Sequence, residues 1–92
     1  MFVSTSGVSD PFDALRIVIG FASVAEGCSS SINVPSVYDK ALSRLWEGGN
    51  ALGADAVINA NFQNRVALGA GCGGDRRVFE VVAWGTAIKF RK

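Results

Sequence analysis

The sequence predicts an α+β domain: a β-α-β-β core with one helix packed on a mainly antiparallel sheet. Three observations lead there. Leu52-Gly53-Ala54-Asp55-Ala56-Val57 reads as a helix that stops on a glycine and turns straight into a strand. Glu80-Val81-Val82-Ala83-Trp84-Gly85-Thr86-Ala87 reads as a long strand that ends the domain. Between Leu15 and Val24, Leu15, Ile17, Ile19 and Phe21 share one face, while Val18, Gly20, Ala22 and Val24 share the other with Arg16. Both faces are mostly apolar, which is the pattern of a strand covered on both sides. A single helix covers one face; the other calls for a partner chain.

The elements follow in order along one domain, residues 1–92. Residues 1–10 read as an amino-terminal arm or edge strand, with Phe2, Ser4 and Ser6 alternating against Val3 and Thr5. Ser9-Asp10-Pro11 breaks it, because proline removes a donor and restricts the residue before it. Leu15–Val24 is the first long strand, and Glu26 to Asn33 is a polar, serine-rich loop containing Cys28. The helix signal is Pro35 near the first turn, then Ser36-Val37-Tyr38-Asp39 with a capping-box spacing. Tyr38, Ala41, Leu42, Leu45, Trp46, Gly49 and Leu52 form an apolar stripe at three- and four-residue steps. Asp39, Lys40, Ser43, Arg44, Glu47 and Asn50 take the wet face. Gly53 ends the helix after about 17 residues.

Gly48 and Gly49 lie inside that helix, where each destabilises by about 1 kcal/mol relative to alanine. Close approach of a sheet residue, or of another subunit's helix, is the expected compensation. In the next strand Ala56, Ile58, Ala60 and Phe62 alternate with Asp55, Val57, Asn59, Asn61 and Gln63, giving one buried and one largely polar face. The small alanines leave room for a bulky helix residue such as Trp46. Gly69 to Asp75 is read as a flexible connection and Val78 to Phe90 as the last strand, bent at Gly85.

Composition points to assembly. The chain of 92 residues is 49% apolar and only 18% charged. A domain this small buries about 60–65% of its unfolded surface, so apolar patches remain outside, and such patches mark interfaces. A homo-oligomer is expected. The formal net charge of +1 argues against a nucleic-acid partner, which would call for a basic excess on one face. Arg76-Arg77 and the tail Lys89, Arg91 and Lys92 read as solvated strand ends. The opening residues are unlike a signal peptide, and Ile17 to Ala25 is too short to span a bilayer. The expectation is therefore a cytoplasmic protein with no membrane partner, its two cysteines free thiols.

The sequence carries little catalytic chemistry. Gly69, Gly71 and Gly74 spell G-x-G-x-x-G, but a dinucleotide turn needs a helix N-terminus after it, and Arg76 onward reads as strand. No histidine exists to activate a serine or cysteine nucleophile. Asp55 and Glu80 are the only acids within strong strand patterns, available as an acid/base pair and otherwise outward residues. The expectation is that the protein is not an enzyme and holds no organic cofactor. A soft metal ion has one route, through Cys28 and Cys72, if the glycine loops of symmetric subunits converge. Trp46, Trp84, Gly48 and Gly49 are the candidates for an interface or for stacking on a flat ligand.

Ala51-Leu52-Gly53-Ala54-Asp55-Ala56-Val57-Ile58, then Phe62, then Glu80 to Ile88 with its Trp84-Gly85-Thr86-Ala87, resembles the YbjQ-like family. So do the opening Met1-Phe2-Val3-Ser4-Thr5 and the stretch from Arg16 to Glu26. The resemblance covers about two-thirds of the chain. It implies a βαββ core similar to dodecin subunits, assembled as a ring-shaped homo-oligomer, typically a pentamer. Members are small bacterial proteins that carry a heavy-metal-binding label without a ligand motif transferable to particular positions. The glycine pair Gly48-Gly49 and the glycine loop around Cys72 depart from the family's pattern.

Overall fold

The computed structural model describes residues 1–25, 33–71 and 74–91. Among the described residues the elements are, in order, β1 (Phe2–Val3), β2 (Phe12–Ala25), α1 (Val34–Ala51), β3 (Ala56–Gly71) and β4 (Gly74–Phe90). The strands form one four-stranded sheet in the order β1-β3-β4-β2. β4 is antiparallel to both long neighbours, and β1 adds a short parallel rung to β3. The fold is α+β, one helix on a mixed and mainly antiparallel sheet.

α1 begins one turn earlier than the Ser36 signal implies. Asn33, not Ser36, is the N-cap, and its Oδ1 accepts from Ser36 N at 3.3 Å. Pro35 follows in the first turn, where its missing N–H removes no helical bond. At the other end Gly53 takes φ +70° and donates its N–H to Asn50 O at 3.0 Å, closing the helix as expected.

The buried line of α1 is Val37, Ala41, Leu45 and Gly49, a single row of four-residue steps. It lies mainly over β2 and β4. Here the sequence-based stripe needs correction. Leu42, Trp46 and Leu52 are about 40% exposed, and Trp46 does not fill space above the alanines of β3. The reason is the closeness of helix and sheet. A Cβ added at Gly20 of β2 would overlap the Ala41 carbonyl oxygen and lie 2.5 Å from Leu45 N. Backbone against backbone leaves no gap for an indole. Gly49 also has a steric reason: a Cβ there would lie 2.7 Å from Val57 Cγ2. Gly48 has only ordinary contact with Val18.

The simple alternation expected along β3 is broken. Its register with β4 shifts between Ile58 and Asn61, and Asn59 adopts φ +53°. Such a bulge resets which side chains face which way. Val57 and Ala60 therefore join the core under α1, while Ala56 and Ile58 face the opposite side. The bend expected at Gly85 is thus built into β3 instead. Gly85 lies against the bulge, where a Cβ would stand 2.7 Å from Val57 Cγ1 and 3.1 Å from Ile58 O. The segment after β1 stitches the bulge: Ser4 O accepts from Ala60 N at 2.9 Å, and Ser6 O from Asn59 N at 3.1 Å.

β1 and β2 lie at opposite edges, so the intervening chain must cross the sheet. It crosses on the side away from α1, where Val8, Phe12 and Phe90 cover a small second core of Ala56, Ile58 and Ile88. The glycine stretch is also more regular than expected. β3 and β4 remain paired through Gly69↔Arg76 and Ala70↔Asp75 to Gly71↔Gly74. The last described rung of β2 is Ala25↔Val78, and β3 and β4 stay paired beyond it. The result is a long molecule of 58 × 21 × 16 Å with a radius of gyration of 16.1 Å. A compact domain of this length would have about 12 Å.

Candidate functional site

Among the described residues, the side of the sheet away from α1 is covered only at the end where the crossing segment lies. Along the rest of β2, Ile17 and Ile19 are 64% and 66% exposed and Phe21 is 46% exposed. Their side chains share one face by strand alternation. Register extends this face across the sheet: Ile17 pairs with Thr86, Ile19 with Trp84 and Phe21 with Val82. On the far strand Trp84 meets Asn61, and Val82 meets Gln63. The face is therefore apolar on β2 and β4 and turns polar on β3. Arg65 and Glu80 close the row beyond, bonded Nε to Oε1 at 3.1 Å.

A second apolar surface lies on the opposite side. Leu42 and Trp46, one helical turn apart, flank a groove of ≈ 360 Å³ with Val3, Asp39 and Ser43. Another groove of ≈ 340 Å³ runs between β2 and the end of α1, lined by Arg16, Val18, Gly48, Ala51 and Leu52 among others. Among the described residues, the outer edge of β2 has no strand neighbour. Arg44 guards it, with Nη1 donating to Phe21 O at 2.6 Å. A charged side chain over an edge carbonyl is a common way to blunt strand pairing.

The structure separates the residues that the sequence grouped. Trp84 is half-buried in the bare face, Trp46 stands on the helix flank, and the sheet lies between them. A flat ligand cannot be sandwiched by both within one copy. Gly49 is part of the core and Gly48 lines a groove. Asp55 and Glu80 do not meet. Asp55 Oδ2 accepts from Phe90 N at 2.8 Å, whereas Glu80 pairs with Arg65. The eight to ten strand residues between those rungs span roughly 30 Å. Cys28 and Cys72 lie outside the described residues. Among the described residues no three His, Cys, Asp or Glu side chains gather as metal ligands, and no helix is long and apolar enough to cross a membrane. Ile17, Ile19 and Phe21 were not singled out as site residues, although the double apolar face of their strand was the signal.

The model of the family described as "putative heavy-metal-binding" matches residues 3–91, nearly the whole chain. The protein belongs to the YbjQ-like family. A relative named UPF0145 protein, from Methanosarcina acetivorans, is 30% identical to this YbjQ-like chain over 80 residues, covering 87% of the chain and 65% of the relative. The chain thus spans just under two thirds of that protein's length. Among solved structures, a DUF74-family protein of unknown function from Pediococcus pentosaceus superposes with a TM-score of 0.84. The two are 20% identical, with 99% of this chain and 98% of that chain covered, so the likeness shows the YbjQ-like fold alone.

Proposed function

We propose that this protein is a self-associating, non-catalytic structural or binding protein that works as a homo-oligomeric ring in the cytoplasm. The observation that carries the reading is the bare sheet face of Ile17, Ile19 and Phe21. Large aliphatic side chains about two-thirds exposed, side by side on one strand, make a patch that monomers seldom leave in water. The elongated shape supports the reading, since a long, narrow molecule of this size gains from packing against a neighbour. The absence of histidine from the sequence and the separation of Asp55 from Glu80 support a non-catalytic role. The five-fold ring size comes from the family resemblance.

The test is sedimentation velocity over a dilution series, with native mass spectrometry for stoichiometry. A multiple of 9.6 kDa that persists into the low micromolar range is the expected result. A 9.6 kDa species at every concentration overturns the reading.

A second reading, a soft-metal-binding module, is favoured by the description of the matching family. The described residues do not fit a metal, so this reading rests on Cys28 and Cys72. Their described flanks point the same way: Ala25 pairs with Val78, and Gly71 pairs with Gly74 farther along the same end of the hairpin. If the reading holds, zinc or copper(I) protects both thiols from alkylation and the Cys28→Ser/Cys72→Ser double variant loses the bound metal. Thiols that stay fully reactive under excess metal rule it out.

A further inference from the structure

We infer that the outer edge of β2 beside α1 is a docking groove for the C-terminal end of an extended peptide. The peptide adds as an antiparallel strand and sets its carboxylate at Arg16. This goes beyond the self-association reading and does not depend on it.

The main chain carries the argument. In an antiparallel pair the N–H and C=O of one residue point to the same edge, and that edge alternates along the strand. Asp55 N donates to Ile88 O at 2.8 Å, so Ile88, Thr86 and Trp84 turn their main-chain groups toward β3. Ile17 and Ile19 stand opposite Thr86 and Trp84, so their own groups point to the outer edge. Phe21 shares that parity, and Arg44 Nη1 bonds its carbonyl at 2.6 Å. Among the described residues no strand lies along this edge. Arg44 therefore closes the edge at Phe21 and leaves it open at Ile17 and Ile19, both of which line the ≈ 340 Å³ groove. Two residues with donor and acceptor turned outward are what strand addition uses.

The groove supplies the side-chain contacts. A Cβ at Gly48 would meet only Val18, at 3.8 Å, so packing within the chain does not account for a glycine that weakens the helix. Without a side chain there, the groove stays open to an apolar residue of a guest, beside Ala51 and Leu52. Arg16 is the charged lining residue, and among the described residues it has no hydrogen bond or ion pair of its own. It lies toward the start of β2, where the C-terminal end of an antiparallel guest arrives. A guanidinium in that place matches a carboxylate. Arg44 limits the open ladder to a few residues, too short to join the long β2 strands of two copies. A chain end anchored by its carboxylate needs no more.

Fluorescence anisotropy tests this with a fluorescein-labelled pentapeptide of alternating valine and threonine that ends in a free carboxylate. The parent protein should bind it saturably, with a dissociation constant below about 1 mM. The C-terminal amide twin should bind roughly tenfold more weakly, and Arg16→Gln should bind the two alike. N-methylation of alternate peptide residues should abolish binding in one phase and spare it in the other, because one edge of the guest faces β2. Gly48→Leu fills the groove and should weaken binding by roughly tenfold or more, with thermal unfolding and sedimentation as in the parent. Ala51→Leu is the substitute if that variant misfolds. Absence of binding at about 1 mM peptide overturns the inference, as does a parent protein that binds acid and amide alike. So does a folded Gly48→Leu protein that separates from a larger parent into 9.6 kDa copies, since a second copy then fills the groove. A monomeric parent that binds the peptide sinks the self-association reading and leaves this one standing.

Discussion

Gly20→Ala is expected to be the most damaging single-methyl change in this chain, lowering stability by about 3 kcal/mol or more. Gly20 lies in β2 between Val18 and Ala22, under the point where α1 crosses the sheet. The atoms that a new Cβ would strike are Ala41 O and Leu45 N, both helix backbone. A clash with the tip of a flexible side chain is relieved by a rotamer change. A clash with helix backbone is relieved only by lifting the helix, which opens the packing around Leu45, a side chain with no exposed surface. Against a total stability of roughly 5–15 kcal/mol, such a loss is large. Gly53→Ala is the control. It meets nothing within 4 Å, and its penalty is only the strain of φ +70°, about 1 kcal/mol. Urea unfolding of both variants checks the comparison. A Gly20→Ala midpoint equal to that of the parent would show that helix and sheet do not approach so closely.

Ile19→Asp is expected to have the largest effect on assembly and almost none on the fold. At 66% exposure Ile19 contributes little to the core of its own chain, so substitution should change unfolding stability by about 0.5 kcal/mol or less at high dilution. In the assembled protein, the same position would place a carboxylate in a dry apolar contact without a partner, a penalty of several kcal/mol per interface. Each 1.4 kcal/mol weakens association tenfold, so the shift should exceed a hundredfold. Sedimentation velocity should therefore give a 9.6 kDa species where the parent protein is larger. An unchanged mass would remove the bare face from the interface. Ile58→Asp separates the two effects, since Ile58 is 3% exposed and its replacement should unfold the chain itself.

Much of the architecture was legible because it follows from short-range rules. Gly53 ended the helix where backbone sterics require a positive φ, and the polar residues 39, 40, 43, 44, 47 and 50 all lie outside the core. The double apolar face of β2 was legible in the same way, and it drew attention to a missing cover. Other features escaped. The N-cap at Asn33 escaped because Ser36 carries the more familiar spacing, whereas the extended backbone of Asn33 and its bond from Ser36 N place the cap three residues earlier. The β3 bulge was hidden because Ala56-Val57-Ile58 suits a strand in either orientation, so its inward faces could not be assigned by alternation. Trp46 was misplaced because the apolar stripe of α1 is wide, and its side chains cannot all face the sheet together.

By itself the sequence determined the element order, the helix stop at Gly53 and the surplus of apolar surface, all properties of local spacing and composition. The tertiary structure alone decided which apolar residues are inside. The closeness of α1 to β2 at Gly20 selected the Val37-Ala41-Leu45-Gly49 row over its neighbours, and the β3 bulge divided the inward residues between two cores. Both outcomes depend on contacts between residues far apart in the chain. A periodic pattern records that a residue is apolar, whereas its burial depends on what packs against it.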